Sequence, residues 1–144
     1  MTETTATGTT PTPTGQTDQP GKTATRIGWT LSVLMILFLI FDAVPKILKM
    51  DFVIEASKGF GITPDTWPVI GTLLLVFTIA YAIPRTSVFG AVLITAHLGG
   101  AVCANVLGHS PLVMILFPVF FAVPLWLGLY LRSAALRRLV RVGY

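Results

Sequence analysis

The chain has 144 residues, of which 53% are hydrophobic and 11% charged, with a mean hydropathy of +0.79; a soluble domain carries about 25% charge. So little charge excludes an ordinary water-soluble domain and makes lipid the solvent of most of the chain. The formal net charge is +4, but the basic residues sit at the ends of apolar runs, where they anchor helices, and this excludes a nucleic-acid surface.

In chain order, residues 1–25 are rich in Thr, Pro, Gly and Gln. They lack an apolar stripe, so this composition predicts a disordered tail. The first apolar run, 27–44, follows about 25 polar residues and has no small-residue cleavage site after it, which predicts a retained span rather than a signal peptide. Pro45 withholds an amide from the carbonyl of Phe41 and is expected to end or kink the helix. Between Lys46 and Lys58, Ile47, Met50, Val53 and Ile54 recur at helical spacing among charges, which predicts a short interfacial helix stopped at Gly59. Thr63-Pro64-Asp65 is a helix start, with Thr63 as cap, for a span over 64–83. Trp67, with Trp29 and Trp126, reads as an interface anchor. Arg85-Thr86-Ser87 is a tight turn into a span over 88–107. Ser110-Pro111 opens the fourth span, 111–131, and Pro118 and Pro124 predict one or two bends in it. Residues 132–144 form a basic tail. The expected organisation is an all-α, integral membrane, antiparallel four-helix bundle over 26–139.

Four spans put both termini on one side. That side collects Lys22, Arg26, Arg85, Arg132, Arg137, Arg138 and Arg141, against Lys46, Lys49 and Lys58 on the other. The basic excess predicts termini in the cytoplasm and a multi-pass protein of the bacterial inner membrane.

Polar residues inside the spans are few, and intramembrane polar groups face a bundle interior or mark a site. His97 falls near the middle of its span. Asp42 and Asn105 lie roughly 9 Å and 12 Å from the midplane, on the same side. Lys46 follows Asp42 by four residues, in the order that favours an ion pair. This pair reads either as an anchor closing the outer end of the first helix or as part of a polar pocket for a small polar or quinone-like head group. His97 reads either as an interhelical hydrogen bond, with Ala96, Gly100 and Ala104 as the tightly packed small-residue seam beside it, or as a proton relay or partner of a redox cofactor. Asp42, Lys46, His97 and Asn105 are therefore the candidate pocket. Cys103, the single cysteine, reads as a small packing residue. No metal-ligand spacing, phosphate loop or nucleophile–base arrangement appears, so no cofactor is assigned beyond a quinone.

Several short pieces occur in order: Phe41-Asp42-Ala43-Val44-Pro45-Lys46, Ile83-Pro84-Arg85-Thr86, Leu98-Gly99-Gly100-Ala101-Val102, and Leu116-Phe117-Pro118-Val119 followed by Trp126. On these pieces the chain resembles the DoxX-like family of small four-helix bacterial membrane proteins. The resemblance implies the bundle and little about activity. The wider family is named for a membrane subunit associated with thiosulfate:quinone oxidoreductase. Relatives of this subtype often place a His near Asn105 and an Arg near Leu107; both positions are uncharged here, which weakens a carry-over of redox chemistry. Three functions follow as expectations. The first is an accessory subunit with a membrane partner or a second copy of itself and no catalysis of its own. The second is a redox component that meets quinone near His97 and Asp42. The third is a small-molecule/proton exchanger, ranked last because that mechanism needs a carboxylate near the middle of helix 1, where Leu34-Met35-Ile36-Leu37 stand.

Overall fold

The computed structural model describes residues 22–142. Its helices are α1 (Lys22–Ile47), α2 (Asp51–Ala56), α3 (Trp67–Ala82), α4 (Ser87–Leu107), α5 (Leu112–Arg132) and α6 (Ala134–Val142), with a 3-10 turn over Pro64–Thr66 leading into α3. Four of these segments are long and apolar enough to cross a membrane. They pack as a closed ring in which α1 touches α3 and α5, and α4 touches α3 and α5. Helices α1 and α4 thus face each other diagonally across the bundle. Short connections make sequential neighbours antiparallel.

Lipid-facing and core-facing positions separate as helical spacing requires. Met35, Leu39 and Ala43 of α1 meet Leu74 and Tyr81 of α3, Ala91 and Ile94 of α4, and Leu125 and Leu129 of α5. Phe41, Leu107, Val113 and Phe120 are each at least 71% exposed. In water such a surface would aggregate; in a bilayer it is the solvated face.

Several boundaries differ from expectation. Helix α1 begins at Lys22, so residues 22–25 are helical rather than tail. No breaker separates them from the apolar run, and extending a formed helix is easy. The rest of the expected tail, residues 1–21, lies outside the described residues. Helix α1 also continues through Pro45 to Ile47. A proline removes only its own amide, and Leu48 N still donates to the Val44 carbonyl at 3.0 Å. Helix α2 stops at Ala56, before Gly59, and the left-handed turn residue is Gly61, at φ +66°. Pro118 and Pro124 lie inside one continuous helix. The basic stretch after Arg132 is largely the helix α6, held by Arg137, whose Nη1 donates to the carbonyls of Tyr130 and Leu131, both at 2.9 Å.

Helices α1 and α4 end in the same motif. After α1, Met50 N bonds the Pro45 carbonyl at 3.0 Å and Lys49 N bonds that of Lys46 at 3.3 Å; after α4, Ser110 N bonds the Asn105 carbonyl at 2.9 Å and His109 N bonds that of Val106 at 3.1 Å. These are Schellman ends, whose left-handed position normally carries glycine. Lys49 and His109 stand there with φ of 51° and 52°. A side chain in that region costs about 1–2 kcal/mol. His109→Gly is therefore expected to stabilise the protein by about 0.5–1 kcal/mol, read as a raised melting midpoint in detergent.

Candidate functional site

Three helices each place one stripe of side chains at the end of the bundle that carries Lys46 and His109. On α1 the stripe is Phe38, Asp42 and Lys46, and on α4 it is His97, Ala101 and Asn105; each is spaced i, i+4, i+8 and so shares a face. On α5 it includes Met114, Phe117, Pro118 and Phe121. Together with Leu74, and with Ala56 and Phe60 from the α2 segment, they line a half-open cavity of about 490 Å³. A second lobe of about 390 Å³ shares Lys46, Phe60, His97, Ala101 and Asn105 as its wall and adds Ile62, Trp67, Ile70, Gly100 and Ala104. Both volumes fall within the range of small-molecule sites, about 300–1,000 Å³.

The structure brings all four sequence-derived candidates, Asp42, Lys46, His97 and Asn105, to the larger lobe. Lys46 Nζ donates to Asp42 Oδ2. The lysine side chain is 17% exposed and the aspartate 41%, so the carboxylate balances a charge that the helix face has partly buried. An ammonium has three protons, and Lys46 makes this one ion pair among the described residues. Asn105 Nδ2 donates to the Ala101 carbonyl at 2.9 Å. That bond fixes the amide against its own helix and leaves its Oδ1 without a donor among the described residues. His97 makes no hydrogen bond among the described residues; its nearest aromatic neighbour is Phe77, edge-on with ring centroids 6.5 Å apart. The interhelical hydrogen bond expected of His97 is absent there because the small residues beside it open a space instead of closing one.

The expected seam of Ala96, Gly100 and Ala104 accordingly does not pack against a neighbouring helix. A Cβ added at Gly99 or Gly100 would meet nothing within 4 Å. Gly100 and Ala104 line the second lobe, and it is their lack of bulk that makes the room. Cys103 is exposed rather than packed.

The walls hold residues that sequence reasoning passed over. Phe38 and Phe121 stack with ring centroids 4.0 Å apart, and Phe117 lies 4.8 Å from Phe121. Trp67 is not a lipid-facing anchor. It is 7% exposed, lines the second lobe, and its buried Nε1 has no acceptor. Trp126 bridges to α4 at the surface: its Nε1 donates to Thr95 Oγ1 at 2.9 Å, and that hydroxyl donates to the Ala91 carbonyl at 2.8 Å. Aromatic residues are common throughout a lipid-facing chain, so the one sequence signal for Phe38 was its i, i+4, i+8 register with Asp42 and Lys46, which the sequence reading did not use.

Chemically, the cavity offers an ammonium, an amide oxygen and an imidazole against aromatic and aliphatic walls. The family model for the DoxX-like family matches residues 30–128 of this chain. No curated protein and no solved structure matches it significantly. The match covers more than half of the chain and spans all four membrane helices, so the chain belongs to the DoxX-like family.

Proposed function

Proceeding from a DoxX-like multi-pass membrane protein, we propose that it is an accessory subunit of the bacterial cytoplasmic membrane that holds the polar head of a small membrane-soluble ligand, of which quinones are the fitting class. One observation carries this reading: Asp42, Lys46, His97 and Asn105 line one aromatic-walled cavity. A quinone carbonyl needs donors, and Lys46 Nζ supplies one. Asp42 keeps the Lys46 ammonium charged and in place. His97 can donate or accept from the same wall. Phe38, Phe117 and Phe121 supply ring faces, and a quinone's isoprenoid tail would leave between helices into lipid. The chemistry itself belongs to a partner protein in this reading.

Binding of a short-chain naphthoquinone to the detergent-solubilised protein, followed by saturable quenching of tryptophan fluorescence, tests the proposal. Lys46→Met removes a charge-assisted hydrogen bond of about 1.5–3 kcal/mol and should weaken binding at least tenfold. Asn105→Leu and His97→Leu report the other groups. Unchanged binding in Lys46→Met, with native helicity by circular dichroism, would defeat the assignment. The proposed orientation, with both termini in the cytoplasm, is checked separately by a reporter fused after Tyr144. Activity of that fusion only in the periplasm would reverse it.

A further inference from the structure

The opposite end of the bundle, which carries the described chain ends, holds a cation without a counter-charge among the described residues. The Arg132 guanidinium lies between two rings, 4.9 Å from the centroid of Trp29 and 4.7 Å from that of Tyr81. Its Nη2 donates to the Tyr81 carbonyl at 2.7 Å. Its Nε and Nη1 are buried and have no acceptor among the described residues. The acidic residues among those described, Asp42, Asp51, Glu55 and Asp65, belong to the far end of α1, to α2 and to the start of α3; none is near Arg132. A charge left this way in a poorly hydrated place calls for an anion.

A cavity of about 240 Å³ adjoins it, lined by Trp29, Pro84, Ser87, Arg132, Ser133 and Ala134. Two helices start at its rim, α4 at Ser87 and α6 at Ala134. The N-terminal ends of these helices add positive potential to that of the guanidinium, although in α6 the Leu136 amide is already capped by Ser133 Oγ at 3.3 Å. Arg137, which spends its Nη1 on carbonyls of α5, adds a further positive charge nearby. We propose that the juxtaposition of the unsatisfied Arg132 guanidinium with this cavity and two helix starts forms a binding site for a phosphate-type oxyanion, borne by an anionic lipid head group or free in solution. Nε–H and Nη1–H are buried in this structure, so anion binding requires the guanidinium to turn on its stem, exchanging its bond to the Tyr81 carbonyl for paired donation to two phosphate oxygens. This site is separate from the ligand cavity at the other end and does not depend on it.

The test is thermal unfolding of the full chain in neutral detergent, titrated in parallel with phosphatidylglycerol, with diacylglycerol as its phosphate-free counterpart, and with inorganic phosphate; native mass spectrometry counts retained lipid. Phosphatidylglycerol is expected to raise the midpoint by roughly 5 °C near saturation, while diacylglycerol leaves it in place. A full shift with inorganic phosphate alone identifies a free anion as the source, and a shift confined to the lipid identifies the head group. Arg132→Gln should abolish the response. Ala134→Asp is the second variant: the position is exposed, an acid in a first helical turn is favourable, and its carboxylate would occupy the anion's place. It should raise the unliganded midpoint and remove the response to added anion. An absent response in the wild type, or one undiminished in Ala134→Asp, overturns the proposal whether or not Arg132→Gln folds.

Discussion

Tyr81→Ala is expected to cost about 3–5 kcal/mol and to leave little folded protein after detergent extraction. Tyr81 is fully buried and joins three of the four spanning helices through one side chain. Its Oη donates to the Leu125 carbonyl at 3.0 Å. A phenol has a single proton, so the 3.2 Å contact with Ser32 Oγ is a hydrogen bond donated by the serine. The Arg132 guanidinium lies over the ring, and the Tyr81 carbonyl accepts from it. Alanine would leave a cavity, remove an acceptor for Ser32 and strip one face from the guanidinium. Tyr81→Phe separates volume from polarity. It keeps the packing and loses only hydrogen bonds, which within membranes average nearer 1 kcal/mol. Comparable midpoints for the alanine and phenylalanine variants would mean that the ring does not fill the centre of the bundle as described.

Gly90→Val is the second large effect, expected to lose at least about 1–3 kcal/mol. Helix α4 presses on the end of α3 at this residue: an added Cβ would stand 2.2 Å from Tyr81 N and 2.5 Å from its Cα. These are backbone atoms, which cannot rotate aside, so the α3–α4 hairpin has to open. Gel filtration in detergent should show the loss of a monodisperse peak. Gly100→Ala is the paired control. Nothing lies within 4 Å of a Cβ there, so its effect on stability should fall within about 0.5 kcal/mol, and it should act instead on ligand binding through the volume of the second lobe. A destabilised Gly100→Ala with a stable Gly90→Val would reverse the assignment of which α4 face is packed.

These two glycines show where sequence reasoning reaches its limit. Ala96, Gly100 and Ala104 at i+4 spacing mark a face that permits close approach, but the pattern does not say whether another helix takes it up. In the fold the close approaches occur elsewhere. Gly28 is 2.7 Å, by the same measure, from Leu131 of α5, and Gly71 is 2.8 Å from the Ala43 carbonyl of α1. Apolar residues surround each spanning helix, so their hydrophobic pattern specifies its rotation only weakly; lipid accepts any apolar face. Asp42, Lys46, His97 and Asn105 stand out because lipid penalises each of them wherever it is not turned inward. Trp67 was misplaced for the complementary reason: an indole near a span end is as suitable an anchor as it is a wall.

What the sequence alone determined is the number of membrane-spanning helices, their order and their lipid setting. Those depend on the length and apolarity of each run against the thickness of a hydrocarbon layer, quantities that are local to the run. The tertiary structure decided which faces meet: that α1 and α4 stand diagonally, that their polar stripes share one cavity, that Trp67 turns inward, and that Arg132 is left with two buried donors at the other end. These follow from packing four helices simultaneously, where the room taken at one crossing fixes the rotation available at the next.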